Sequence, residues 1–176
     1  IDSKIPVFVW GNPGVGKSSI IKQIANDKNM EFIDLRLSLL DPTDLRGIPF
    51  FDSANKSAIW AKPEFLPNSN SQAFGILFLD EINSAPPTVQ AAAYQLILDR
   101  KIGEYTLPMN YAIVAAGNYE SDRGVTYRMP TPLANRFVHL DFELDFEEWK
   151  SWAYESKIDT KMNYKKPFIV YETFSI

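Results

Sequence analysis

The chain has 176 residues, 45% of them hydrophobic, with 12 Phe, 8 Tyr and 4 Trp, enough apolar material for the core of one folded domain and too much for a disordered one. Its 18 Lys plus Arg against 22 Asp plus Glu give a net charge of -4, which disfavours whole-surface attraction to nucleic acid or anionic lipid. The lack of Cys excludes disulfides, thiolate metal sites and cysteine catalysis, and the lone His139 excludes metal clusters built from several His within the chain.

Strands and helices alternate along the sequence, which predicts an α/β fold with a parallel sheet. Residues 6–10 form a short β-rich apolar run stopped by Gly11-Asn12-Pro13-Gly14. A helix is expected from near Lys17 through Ala25, with Ile20, Ile21 and Ile24 on one face. Residues 31–37 alternate apolar and polar and read as a second strand. Residues 75–79 and 111–116 are continuous and apolar, as expected of strands covered on both faces. Between them Pro86-Pro87 opens a helix that runs to about Leu98, with proline favoured in its first turn. Residues 137–140 read as a shorter strand, and an acidic, Trp-bearing helix is expected from Asp145 to about Ser156, capped by Asp145. Two stretches break the alternation. Residues 47–67 carry Phe50, Phe51, Ile59 and Trp60 around a turn cluster at Asp52-Ser53-Ala54-Asn55, and residues 101–107 read as a second, smaller hairpin. Inserts of this kind usually project from an α/β core. No internal repeat is visible, and no linker divides the chain.

No stretch approaches the roughly 18 uninterrupted apolar residues of a membrane-spanning helix. The chain opens on Ile1 with a strand close behind and reads as a trimmed segment; no signal peptide is visible, and the absence of Cys fits a cytoplasmic setting.

Gly11-Asn12-Pro13-Gly14-Val15-Gly16-Lys17-Ser18 matches G-x-x-x-x-G-K-[ST] in full, after a predicted strand and before a predicted helix. Phosphate oxygens must come close to backbone N–H groups, so glycine replaces bulkier residues. The helix start, with Ser19 in its first turn, offers free N–H groups and a positive dipole end. Lys17 would set its ammonium on the β- and γ-phosphates and Ser18 its hydroxyl on Mg²⁺. The second chemical element is the apolar strand ending in Asp80-Glu81, which aims two carboxylates at the edge of the sheet where α/β proteins bind ligands. Adjacent strand residues point oppositely, so Asp80 can hold Mg²⁺ while Glu81 orients and polarises a water. The same pair would also suit the acidic start of a helix.

Taken together, the chain resembles an AAA+ ATPase, and within that superfamily the MoxR-like or dynein-related branch. The likeness runs from Pro6 to about Trp152. Besides the two motifs above, it rests on Asp44-Leu45-Arg46-Gly47, on Asp80-Glu81-Ile82-Asn83-Ser84-Ala85-Pro86-Pro87, on Ala115-Ala116-Gly117-Asn118 and on Pro132-Leu133-Ala134-Asn135-Arg136-Phe137. It implies a three-layer P-loop NTPase sandwich with about five parallel strands, hairpin inserts and little of the helical lid. It also implies a large nucleotide-binding subdomain over residues 1–157, followed by a weakly patterned segment at 158–176, the start or remnant of a lid.

In such a protein ATP and Mg²⁺ bind at residues 11–19. Asn118 takes the place of the first sensor, although an Asn beside Gly117 also suits a turn. Arg136 takes the place of the arginine finger serving a neighbouring subunit, with Arg123 and Arg128 as rivals and a surface ion pair as the plainer reading. Ser84 stands where many relatives carry Arg. Phe50, Phe51 and Trp60 either contact a substrate or staple their own hairpin. Adenine preference follows from the resemblance alone. The implied function is Mg²⁺-dependent ATP hydrolysis that remodels a protein client within a ring, a hexamer by likeness. Alternatives are a nucleotide-gated assembly module with little turnover and a DNA-directed translocase subunit, the latter disfavoured by the net charge.

Overall fold

A computed structural model of the chain describes residues 5–119, 127, 129–143, 145, 147, 150, 151, 154, 170 and 171. Five parallel strands make the sheet: β1 (Val7–Trp10), β2 (Glu31–Arg36), β5 (Gly75–Asp80), β8 (Tyr111–Gly117) and β9 (Val138–Phe142). A two-residue strand, β10 (Val170–Tyr171), adds antiparallel to β9, and the spatial order is β10-β9-β1-β8-β5-β2. The intervening helices are α1 (Lys17–Asp27), α2 (Pro42–Arg46), α3 (Pro87–Asp99) and α4 (Thr131–Ala134).

Alternation along the strands divides the core in two. Phe8, Leu77, Leu79, Ile113 and Ala115 pack on one side with Val89, Ala92, Ala93 and Leu96 of α3. Val9, Ile76, Phe78, Val114 and Ala116 pack on the other with Ala25 and Ile21 of α1. The sheet is therefore the middle of three layers, and all six residues of β5 are buried, as expected of a strand covered on both faces. Because the five strands run the same way, β1, β5 and β8 end on one edge. With β8 between the other two, Asn118 leaves the sheet between the glycine loop and Asp80.

Two expectations need correction. In α1 the inward stripe is Lys17, Ile21 and Ala25, four residues apart, and it is Ile20 and Ile24 that face outward, 38% and 37% exposed. Two stripes, 20/24 and 21/25, satisfy the helical period equally, and contact with the sheet selects the second. The hairpins also behave differently from each other. β3 (Ile48–Asp52) and β4 (Ser57–Ala61) pair antiparallel and stand in solvent, with Phe51 73% exposed and Phe50, Ile59 and Trp60 open as well. β6 (Lys101–Ile102) and β7 (Tyr105–Thr106) do not project: Ile102, Tyr105 and Leu107 are core residues, and Tyr105 Oη donates to the Pro67 carbonyl at 2.8 Å. The hairpin directly follows α3, and a hydrogen bond from Leu107 N to Arg100 O at 2.8 Å folds it back onto that helix.

Of the acidic helix expected after Asp145, Asp145 Oδ1 accepts from Glu147 N at 2.7 Å, and most of the remainder lies outside the described residues. Arg123, Arg128 and residues 158–169 lie outside them too.

Candidate active site

The glycine loop runs from β1 into α1 through two left-handed residues, Gly14 at φ 76° and Gly16 at φ 96°, a region that side chains strongly disfavour. Gly16 is the residue before α1 and supplies no side-chain cap. The first N–H groups of the helix therefore keep no side-chain partner from the cap, the arrangement that suits an oxyanion.

Lys17 heads the inward stripe of α1 and is only 7% exposed. Its ammonium donates to Gly11 O at 2.7 Å, Asn12 O at 3.1 Å and Asn118 Oδ1 at 3.0 Å. These bonds bring Lys17 and Asn118, distant in sequence, together. Ser18 is half-buried in the first turn and Ser19 is exposed.

Asp80, the last residue of β5, is 6% exposed. Burial pushes its carboxyl above the usual range, reinforced by the charges of Asp34 and Glu81 and opposed by the Glu81 N–H and by Lys17. The Glu81 N–H donates to Asp80 Oδ1 at 2.9 Å. The carboxylates are separated by a turn and not by strand alternation: Glu81 has already left the strand in a left-handed conformation, φ 56°. Its Oε2 accepts from the Ser38 hydroxyl, and its Oε1 lies 3.8 Å from Arg36 Nε.

Asn83, 3% exposed, makes two hydrogen bonds to the backbone of Asn118: its Nδ2 donates to Asn118 O at 2.7 Å, and Asn118 N donates to its Oδ1 at 3.2 Å. Around the strand ends Trp10 stacks on Tyr119 with ring centroids 6.2 Å apart, and Tyr119 Oη donates to Asp141 at 2.9 Å. Trp10 Nε1 donates to His139 Nδ1 at 2.8 Å, so the hydrogen on His139 is on Nε2, which donates to Ala134 O at 2.8 Å. The single histidine ties β1 and β9 to α4.

Arg136 follows α4 on the surface. Among the described residues no hydrogen bond or ion pair joins its guanidinium to Lys17, Asp80 or Glu81.

The structure thus gathers Lys17, Asp80, Glu81 and Asn118 at one sheet edge with the bare end of α1, and leaves Arg136 outside that group. Sequence reasoning missed Ser38, Arg36 and the part played by Asn83. No local pattern marks the first two, whereas Asn83 stands two residues beyond Glu81 in a motif already singled out. Among the described residues no cluster of three or more His, Cys, Asp or Glu could hold a metal ion. A divalent cation here would take Asp80 and the Ser18 hydroxyl and complete its shell with water and phosphate, as Mg²⁺ does. The desolvated carboxylate and the buried ammonium fit a Mg²⁺-bound phosphate chain. Among the described residues no helix is long and apolar enough to cross a membrane.

Residues 6–139 match the ATPase family associated with various cellular activities (AAA). Midasin of Giardia intestinalis is 29% identical over 143 residues, covering 77% of this chain and 3% of midasin. A candidate ATPase from Cytophaga hutchinsonii superposes with a TM-score of 0.62 at 21% identity, over 91% of this chain and 48% of that one. NtrX from Brucella abortus superposes with a TM-score of 0.51 at 17% identity, over 79% of this chain and 33% of that one. At these identities the two solved structures speak for the fold. The chain spans a small fraction of midasin and under half of either solved chain.

Proposed function

The chain belongs to the AAA family of ATPases, and from that premise we propose that it is of the MoxR-like, dynein-related branch, binds ATP with Mg²⁺ at the β1–β8–β5 edge and hydrolyses the β–γ bond. The observation that carries this reading is the buried Lys17 ammonium, set beside the uncapped start of α1 and 3.0 Å from Asn118 Oδ1.

Residues 11–19 cradle the phosphates through backbone N–H groups, and Lys17 turns from its neutral acceptors to the phosphate oxygens. Ser18 and Asp80 would hold Mg²⁺, whose charge would offset that of the phosphate chain. Glu81 orients and polarises the attacking water once it leaves Ser38. Asn118 senses the γ-phosphate by donating its side-chain N–H to it, and the oxygen that Lys17 releases is then free to accept from the attacking water. Arg136, exposed and outside its own site, serves the site of an adjacent copy, where a planar fixed charge stabilises the transition state. That role requires a ring, and a hexamer that remodels a protein client in the cytoplasm is the form we favour. Residues 1–157 act as the large subdomain, and 158–176 as the start of a lid.

A second reading, a nucleotide-gated assembly module with little turnover, is favoured by one observation: the Glu81 carboxylate is engaged by Ser38 and Arg36.

The test is ATPase activity against protein concentration for the parent, Glu81→Gln and Arg136→Ala. The parental rate per chain should rise as the protein assembles. Glu81→Gln should still bind ATP and hydrolyse it at least about a hundredfold more slowly. Arg136→Ala should fall about a thousandfold, and mixing the two variants should restore activity, because each supplies the group that the other lacks. Activity independent of concentration and untouched by either change would overturn the shared-site mechanism. Nucleotide binding with negligible parental turnover would favour the second reading.

A further inference from the structure

We infer that Asn83 is a positioning residue, whose side-chain amide acts as a detached peptide unit that fixes Asn118 against Lys17. The inference rests on the role proposed above for Asn118.

Three observations carry it. The register of β5 on β8 ends at Leu79↔Ala115, after which the chain swings away through the left-handed Glu81. Beyond that point the backbone of Asn118 has no β5 peptide beside it, and Asn83 takes that place with a donor to the carbonyl at 2.7 Å and an acceptor for the N–H at 3.2 Å. Secondly, space has been left for this amide and for little else. A Cβ on Gly117 would lie 2.6 Å from Asn83 Oδ1 and 2.8 Å from Phe8 Cζ, distances that real side chains do not tolerate. Thirdly, Asn83 is itself held, being 3% exposed, with its carbonyl accepting from Tyr127 N at 2.6 Å.

The chemistry of asparagine suits this task closely. Aspartate has the acceptor and lacks the donor when ionised; serine cannot span both atoms; glutamine is one methylene too long. The consequence reaches the site. One short turn carries Asp80, Glu81 and Asn83, so tying Asn83 to Asn118 fixes both carboxylates relative to Asn118 Oδ1 and, through it, the Lys17 ammonium.

The test uses the full chain in its hydrolytic assembly, with Asn83→Ala, Asn118→Ala, their double variant and Asn83→Asp. ATP affinity and the single-turnover rate at saturating ATP are measured for each. Asn83→Ala and Asn118→Ala should each slow hydrolysis by about ten- to a hundredfold with affinity within about threefold. The double variant should be no slower than the slower single one, because both changes remove the same placed group. Asn83→Asp keeps the shape and loses the donor; it guards against loss of the fold and should slow the same step. Parental rates in both Asn83 variants, losses that multiply in the double variant, or an equal fall in affinity and rate would each overturn the inference.

A parent that binds ATP without hydrolysing it would count against the proposed hydrolysis, and the clamp is then read by amide hydrogen exchange. The Asn118 N–H should exchange about tenfold faster in Asn83→Ala than in the parent, the worth of one hydrogen bond; equal exchange would overturn the clamp itself.

Discussion

Replacing Asp80 by Asn should stabilise the nucleotide-free protein while removing its response to Mg²⁺. The carboxyl is 6% exposed, and burial raises its affinity for a proton, with the charges of Asp34 and Glu81 adding to the effect. A carboxyl whose folded-state proton affinity is raised binds more protons folded than unfolded. Stability is then lost as pH rises from the ordinary carboxylate range through the raised value. Above the raised value the parent carries that cost in full, and Asn carries none at any pH. The Asn oxygen can still accept the 2.9 Å hydrogen bond from Glu81 N, and the attraction of Lys17, the smallest of the contributions, is what the change gives up.

The expected gain is about 1 kcal/mol, or ~2–4 °C in Tm for a domain of this size. Thermal melts of parent and variant from pH 8 to pH 4 check it, and the gap between them should close in acid, where both side chains are neutral. In a second arm, Mg²⁺ and ATP at 100 times the parental Kd should stabilise the parent by about 2.7 kcal/mol and the variant by much less. A variant that melts below the parent at neutral pH, or a gap that does not narrow in acid, would refute the reasoning.

Lys17→Met removes a cation from three oxygens and should weaken ATP binding at least about a hundredfold, the worth of one or two charged hydrogen bonds; titration calorimetry measures this, and unchanged affinity would exclude Lys17 from the phosphate site. Ser38→Ala frees Glu81 Oε2 and should speed single-turnover hydrolysis by up to about tenfold, one hydrogen bond's worth, with ATP affinity unchanged; slower hydrolysis would mean that Ser38 aligns the carboxylate instead. Leu77→Ala empties a fully buried position in the middle of β5 and should cost about 2–5 kcal/mol in a urea melt, whereas a loss below about 1 kcal/mol would mean that the core there collapses around the gap.

How much of the molecule was legible in the sequence depended on the range of the interaction. The glycine loop could be read because its demands are local: left-handed backbone at Gly14 and Gly16, then a helix start. β5 and β8 could be read because strands covered on both faces need continuous apolar runs. The stripe of α1 could not, since three isoleucines fit two faces and only the sheet decides between them. The two hairpins both join strands by short turns, yet one lies in solvent and the other in the core, because only the second carries Ile102, Tyr105 and Leu107 into the core beside α3. Ser38 and Arg36 meet Glu81 only because β2 and β5 are neighbours, a fact of topology that no local pattern encodes. The pairing of Asn83 with Asn118, 35 residues apart, is of the same kind.

The charge balance of the site explains why these residues are individually uncomfortable. Asp34 and Asp80 have carboxyls raised by burial, Glu81 occupies a backbone region that costs about 1 kcal/mol or more for a residue with a side chain, and Lys17 is a cation only 7% exposed. The costs at Lys17 and Asp80 would be relieved by a polyphosphate with a divalent cation: the anion suits Lys17 and the bare start of α1, and the cation suits Asp80. The Asn118 amide oxygen accepts from the ammonium at 3.0 Å, and the Asn83 amide holds the Asn118 backbone in place. Stability has been withheld at this edge, and the melts of Asp80→Asn and Lys17→Met should move in opposite directions without ligand, up for the first and down for the second, while both lose the gain that ATP confers on the parent.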